Sequence, residues 1–349
     1  MMAVSAVEKI FFVENLSMML RSGVPIIEAL ETLEKEARSK AFRKVLSNVK
    51  KEVSAGKSLA ESLKKHPKVF DKFFCDVVKI GEKTGALSEN LNFLFLNLQR
   101  EENLKSQIRG ALVYPALILF VAFGIILIII FYLLPKIIPL FHLMGFEIPS
   151  PAKILISIPP FLKENWLKIL LFIFLIFIFF KLLRKIKKTR YYLDKIFLSL
   201  PFFGSLSKNL NLSILSRSLY ILLKSGLSLR ESLEICSETI PSEVYKKCLI
   251  FVKSGVERGE KIGESFKNFP KVFPYIFSQM ILVAERSGTL DEVLFYQSKF
   301  YEEKLTSNLK KISRIIEPAL IIFVGLLVAL IAISIISTIY RFISQFRPR

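Results

Sequence analysis

Histidine is almost missing from this chain. There are two, His66 and His142, and neither stands near a cysteine or carboxylate at the spacing of a metal site or a catalytic triad. The three cysteines, Cys75, Cys236 and Cys248, have no metal-ligand spacing and read as reduced thiols. The phosphate-cradling pattern GxxxxGK[ST] does not occur. Ala55-Gly56-Lys57-Ser58 shares only its last residues, and the equivalent turn at Gly259-Glu260-Lys261 moves the lysine. No strand-like alternation is found. A cleavable leader is not expected, because residues 1–9 lead into an amphipathic stretch and not into a basic region with an apolar core. The expectation is a chain with no catalytic residue, no cofactor and no metal.

Charge is also missing, but only locally. No Asp, Glu, Lys or Arg occurs in 110–135 or in 318–340, and both runs are long enough for a bilayer core of about 30 Å. A third run, 166–183, has Lys168 and Lys181 near its ends, where both can reach the interfaces. Three transmembrane helices are expected, at 111–134, 166–183 and 318–340. The net charge of +20 comes from 19 Lys and Arg in 1–110 and 23 in 184–317, against 3 in the proline-rich loop 135–165. That distribution follows the positive-inside pattern and does not point to nucleic acid. The basic flank KLLRKIKKTR at 181–190 pins the end of the second span to the cytoplasmic side. The spans hold no charge at mid-depth, which counts against a transporter built from parallel repeats, the rival reading.

What is there is a duplication. MLRSGVPIIEALE at 19–31 returns as LLKSGLSLRESLE at 222–234, an offset of 203. At the same offset HPKVF (66–70) returns as FPKVF (269–273), GEKTGALSENL (81–91) as AERSGTLDEVL (284–294), and YPALILFV (114–121) as EPALIIFV (317–324). A period this long is a duplicated domain and not a solenoid unit. Each copy reads as about six helices. In the first copy these fall near 1–20, 26–37, 41–55, 59–65, 70–82 and from 87 into the first span. Ser58 and Glu61 form a capping-box pattern. The expected fold is an all-α membrane protein. It has a first cytoplasmic bundle at 1–110, the loop 135–165 outside, a basic linker with the second cytoplasmic bundle at 184–317, and a short tail at 341–349.

Three sets of residues recur in both copies. Gly23/Gly226, Gly56/Gly259 and Gly85/Gly288 suit helix caps that need a positive φ. Glu82/Glu285 precede the third of these turns, either as a surface or capping carboxylate or as a partner contact or ion pair. Pro115/Pro318 lie one turn inside the spans, tolerated there or setting a kink. Glu317 stands where the first copy has Tyr114, with Arg314 as its local partner.

The paired turns Glu82…Gly85-Ala86-Leu87 and Glu285…Gly288-Thr289-Leu290, the Tyr114-Pro115 and Glu317-Pro318 steps and the loop Gly145-Phe146-Glu147-Ile148-Pro149 together resemble the type II secretion system F family. The resemblance covers about residues 11–340. It implies a non-enzymatic platform protein of the bacterial inner membrane, used in type II secretion or type IV pilus assembly. It also implies a homodimer or small homo-oligomer, contacted by a hexameric cytoplasmic assembly ATPase, by pilin or pseudopilin subunits and by other inner-membrane assembly proteins. Many members carry an N-terminal extension ahead of the first bundle. This chain starts almost at the bundle, so an ATPase contact made by such an extension is not expected here.

Overall fold

The computed structural model describes residues 4–128, 187–201 and 203–345, with short pieces at 131–132, 135, 164–165, 167–168, 171–172 and 174–175. Helix is the only regular structure among the described residues. In the first copy the helices are α1 (Ala6–Arg21), α2 (Ile26–Glu36), α3 (Lys40–Ser54), α4 (Leu59–Lys64), α5 (Lys72–Thr84) and α6 (Leu87–Ile128). α7 (Lys187–Ser199) comes next. The second copy is α8 (Phe203–Lys224), α9 (Leu229–Thr239), α10 (Glu243–Glu257), α11 (Ile262–Lys267), α12 (Tyr275–Ser287) and α13 (Leu290–Gln345). The helices α2 to α6 each begin 203 residues before their counterparts α9 to α13. The duplication in sequence is thus one of helix ends as well as of residues.

The ends have local causes. Ser5 starts α1 with a capping box, its hydroxyl accepting the Glu8 N–H while Glu8 accepts the Ser5 N–H. Ser228 and Glu231 start α9 in the same way. At α4 only the forward half of the expected box forms. Ser58 Oγ accepts the Glu61 N–H at 3.1 Å. At 66–70 and 269–273 the same turn is built twice, with the Phe70 and Phe273 N–H groups donating to His66 O and Phe269 O at 2.9 Å. That turn drives Phe70 and Phe273 into the core, where both are fully buried.

Residues Met1–Gln107 and Tyr191–Asn308 form one compact unit, and Ile108–Arg190 with Leu309–Arg349 the other. The core of the first unit is aromatic and follows the repeat. Phe12 meets Phe42 edge-on at 5.7 Å and Phe70 lies 5.0 Å from Phe74; their counterparts Phe273 and Phe277 stack at 5.6 Å. Where the first copy has Phe12 and Leu63, the second has Leu215 and Phe266, and all four are fully buried. The total volume is kept by moving the ring from one helix to another, the kind of exchange a packed core tolerates.

In the second unit, α6 carries its apolar stretch without interruption past Pro115, with Leu117, Phe120 and Phe123 exposed. Among the described residues, one helix, at Leu87–Ile125, is long and apolar enough to cross a membrane. The expected third span falls on the backbone of α13, which continues past Pro318. The expected second span at 166–183 and the loop 135–165 lie almost wholly outside the described residues, as does the stretch Gly145–Pro149.

Candidate functional site

The paired turns are where each bundle hands over to a long helix. Gly85 closes α5 in the left-handed conformation (φ 74°), and α6 starts two residues later. Gly288 closes α12 at φ 73°, with the Thr289 N–H returning to Ala284 O at 3.0 Å. A Cβ at either glycine would meet no neighbour within 4 Å, so the demand is on backbone conformation and not on space. The other recurring glycines, Gly23, Gly56, Gly226 and Gly259, also have positive φ. Pro115 and Pro318 lie inside α6 and α13. The side chain of Glu317 is outside the described residues.

In the structure Glu82 and Glu285 each cap a helix other than their own. Glu82 reaches from α5 to the start of α4, where its two oxygens accept the N–H groups of Leu59 and Ala60, the second at 3.0 Å. These are orphan donors of a helix N-terminus, and an anion there also meets the positive end of the helix dipole. Glu285 does the same from α12, accepting the Ile262 N–H of α11 at 3.1 Å, but its Oε2 is buried without a partner. Each carboxylate therefore ties the short helix to the element that ends in the Gly turn, and so fixes the base of α6 and α13. No sequence period links residues 59 and 82, so only the recurrence of the acid pointed to it. Glu82→Gln should cost about 1–2 kcal/mol, since one amide oxygen replaces a two-armed charged acceptor. Glu285→Gln should cost less. Denaturant unfolding of the purified chain, with amide exchange at Leu59 and Ala60, checks the order; equal losses at both sites would contradict it.

The copies meet through unlike faces. α5 of the first packs against α9 of the second, with an ion pair between Lys72 and Glu238 at its rim and Phe93 edge-on to Tyr220 at 6.4 Å. On α5 of the first copy Phe73 is 8% and Val77 0% exposed. Their counterparts on α12, Ile276 and Met280, are 57% and 40% exposed, and together with Tyr296 and Phe300 of α13 they line a concavity of about 500 Å³. Reading the copies separately hid this apolar face. It shows when they are compared position by position, since the same face is covered in one copy and open in the other.

Asp76 sits on the covered α5 face with Oδ2 buried and unpartnered. Burial pushes its carboxyl above the usual carboxylate range, with Glu238 adding to the rise and Lys72, Lys79 and Lys64 opposing it. The folded-state pKa thus lies above the unfolded one. The ionised acid costs the fold stability at neutral pH, and that cost fades as the pH falls through the folded value. Asp76→Asn should therefore be more stable than the parent at neutral pH by a few tenths of a kcal/mol, roughly, because water still reaches part of the group. The gain should shrink in acid. Melting curves at neutral and at acid pH test this, and a gain that grows in acid would reverse the sign.

No His, Cys, Asp or Glu cluster suited to a metal ion occurs among the described residues. The three cysteines are buried, and burial raises the thiols of Cys75 and Cys248 to about 11. The family model described as type II secretion system (T2SS), protein F matches residues 12–135 and again 215–338. Both ends of the second match lie 203 residues beyond those of the first. A type IV pilus assembly protein PilC of Thermus thermophilus is 29% identical over 332 residues, covering 95% of this chain and 82% of its own length. A protein of the same description from Pseudomonas aeruginosa is 29% identical over 331 residues, covering 95% and 88%. A type II secretion system protein F of Aeromonas hydrophila is 27% identical over 335 residues, covering 96% and 86%.

Proposed function

The chain belongs to the type II secretion system protein F family, and on that premise we propose that it is the platform protein of a type II secretion or type IV pilus assembly machine. The observation that carries this is the double match to one family model at the offset at which the helices themselves repeat. On this reading the chain sits in the bacterial inner membrane. Three spans at 111–134, 166–183 and 318–340 bring both copies to the cytoplasmic side, and the basic flank at 181–190 holds the middle span in that sense. A hexameric cytoplasmic ATPase supplies the work, pilin or pseudopilin subunits are the cargo, and the chain itself is a homodimer or small oligomer that makes no bond of its own.

The geometry supports a mechanical role. α6 and α13 each leave the bundle and continue into an apolar stretch as one helix. Their 42 and 56 residues correspond to about 63 and 84 Å at the standard rise. Glu82 and Glu285 tie the short helices to the bases of α6 and α13, so a displacement of α4 or α11 is passed to those bases. The open α12–α13 face is the surface we assign to contact with another subunit of the machine. The test is a deletion strain scored for surface fibres or for secreted substrate, with cross-linked native complexes probed for an ATPase and pilin-like subunits. The wild-type chain should restore both, and Ile276→Glu with Met280→Glu should fold but restore neither. Intact fibres and intact secretion in the deletion strain would overturn the proposal.

A further inference from the structure

The two bundles of one chain meet through unlike surfaces, so one surface of each kind is left over. The surfaces in use are α5 with α6 in the first copy and α8 with α9 in the second. Across them Lys72 pairs with Glu238, Phe93 meets Tyr220, and the charges of Lys83 and Glu101 act on Glu231 and Arg217. Moving both sides by 203 gives the remaining two, α12 with α13 and α1 with α2. Both keep apolar residues in the open. Ile276, Met280, Tyr296 and Phe300 are exposed on the first, and Phe11, Met18 and Ile27 on the second. Met18 is 53% exposed, whereas its counterpart Ile221 on α8 is 3% exposed. Phe11 is likewise exposed where its counterpart Ile214 is not.

We propose that α12 and α13 of one chain dock on α1 and α2 of a second copy of the chain, repeating between chains the contact that joins the two bundles within one. The inference rests on the platform reading for assigning the α12–α13 face to a subunit contact, and it names that subunit. Charge supports the pairing. At the offset of 203, Lys83–Glu231 becomes Arg286–Glu28, still a pair of opposite charges. Glu101–Arg217 becomes Lys304–Glu14, with the signs exchanged between the two sides. Lys72–Glu238 becomes Tyr275–Lys35, a ring facing a cation. Tyr275 is exposed, and Lys35 stays largely exposed while it pairs with Glu31 on its own helix. No foreign protein is needed to cover either face, since each is the counterpart of a surface that the other kind already covers inside the chain. Because the faces are unlike, every added chain again presents one of each, and only a closed ring leaves neither free.

The test asks which faces meet. Two differently tagged forms of the full-length chain are co-expressed, one with Lys35→Cys and one with Tyr275→Cys, and their native membranes are treated with a short bis-maleimide. The native cysteines are buried, and the parent chain serves as the blank. The pair should give a cross-linked dimer carrying both tags, and either form alone should give at least tenfold less. Glu14→Lys in both forms should lower the yield severalfold by setting like charges opposite each other, and adding Lys304→Glu should restore it. Met18→Glu should lower the yield as Ile276→Glu with Met280→Glu does. Equal yield from either form alone would mean that like faces meet, and would overturn the proposal. So would the absence of any adduct between chains. The platform reading fails separately. Mixed adducts, in an organism whose deletion strain keeps its fibres and secretion, would leave this interface standing and remove the platform. Loss of assembly in Ile276→Glu with Met280→Glu, with no mixed adduct between the unaltered faces, would leave the platform standing and remove this interface.

Discussion

Arg217→Ala should destabilise the chain by about 3–5 kcal/mol, the cost of leaving one member of a buried ion pair alone. Arg217 lies on α8 with 5% of its surface exposed, and its guanidinium donates to the Glu302 carboxylate on α13. Burial lowers its pKa, the Glu302 charge opposes that shift, and Arg100 of the first copy reinforces it. The guanidinium nonetheless stays charged, because arginine does not give up its proton in the accessible pH range. Truncation would leave the Glu302 carboxylate without its ion-pair partner beside a cavity. Arg217→Met should lose less, since it fills the space, and Arg217→Met with Glu302→Leu should recover most of the loss. Denaturant midpoints for the three variants decide the matter. If Arg217→Ala falls within about 1 kcal/mol of the parent, the pair is a surface contact in energetic terms and the argument fails.

That pair also marks how far the repeat can be read. The counterparts of Arg217 and Glu302 are Glu14 and Gln99, so the first copy has no such bridge. A reading built on what recurs could not see it. What recurs was legible. The offset placed the helix starts, and the Gly85 and Gly288 turns stand where a left-handed residue was expected. The acid beside them was visible as a pair but not as a cap, because Leu59 and Glu82 are brought together only by the packing of α4 on α5. The docking of α5 on α9 was hidden for a related reason. Phe73 and Ile276 are both apolar, and nothing local distinguishes a residue covered by the other copy from one left open. In the sequence α7 reads as part of a basic linker. Its lysines dominate the composition, while Tyr191 and Leu198, seven residues apart, pack on the core and Asp194 accepts the Glu243 N–H.

Gly263→Val should cost about 3 kcal/mol, toward the upper end for overpacking, because the obstruction is backbone and not a movable side chain. Gly263 is the second residue of α11, and a Cβ built there would lie 2.5 Å from Leu282 Cα and 2.6 Å from Leu282 N. The two helices touch at that point, and the approach is what brings the Ile262 N–H within reach of Glu285 on α12. A valine would push α11 away and break that bond along with the packing. Gly263→Ala puts the same Cβ against the Leu282 backbone and should also cost stability, less than valine because it lacks the two further methyl groups. The first copy holds a buried Ala60 at the equivalent position. Amide exchange at Ile262 should quicken in both variants, and the unfolding free energy should fall in both, further in the valine variant. If the platform reading is right, Gly263→Ala should also reduce fibre assembly at temperatures where the chain stays folded, because a loosened Glu285 frees the base of α13. Full assembly by a variant with fast Ile262 exchange would show that the clamp serves stability alone.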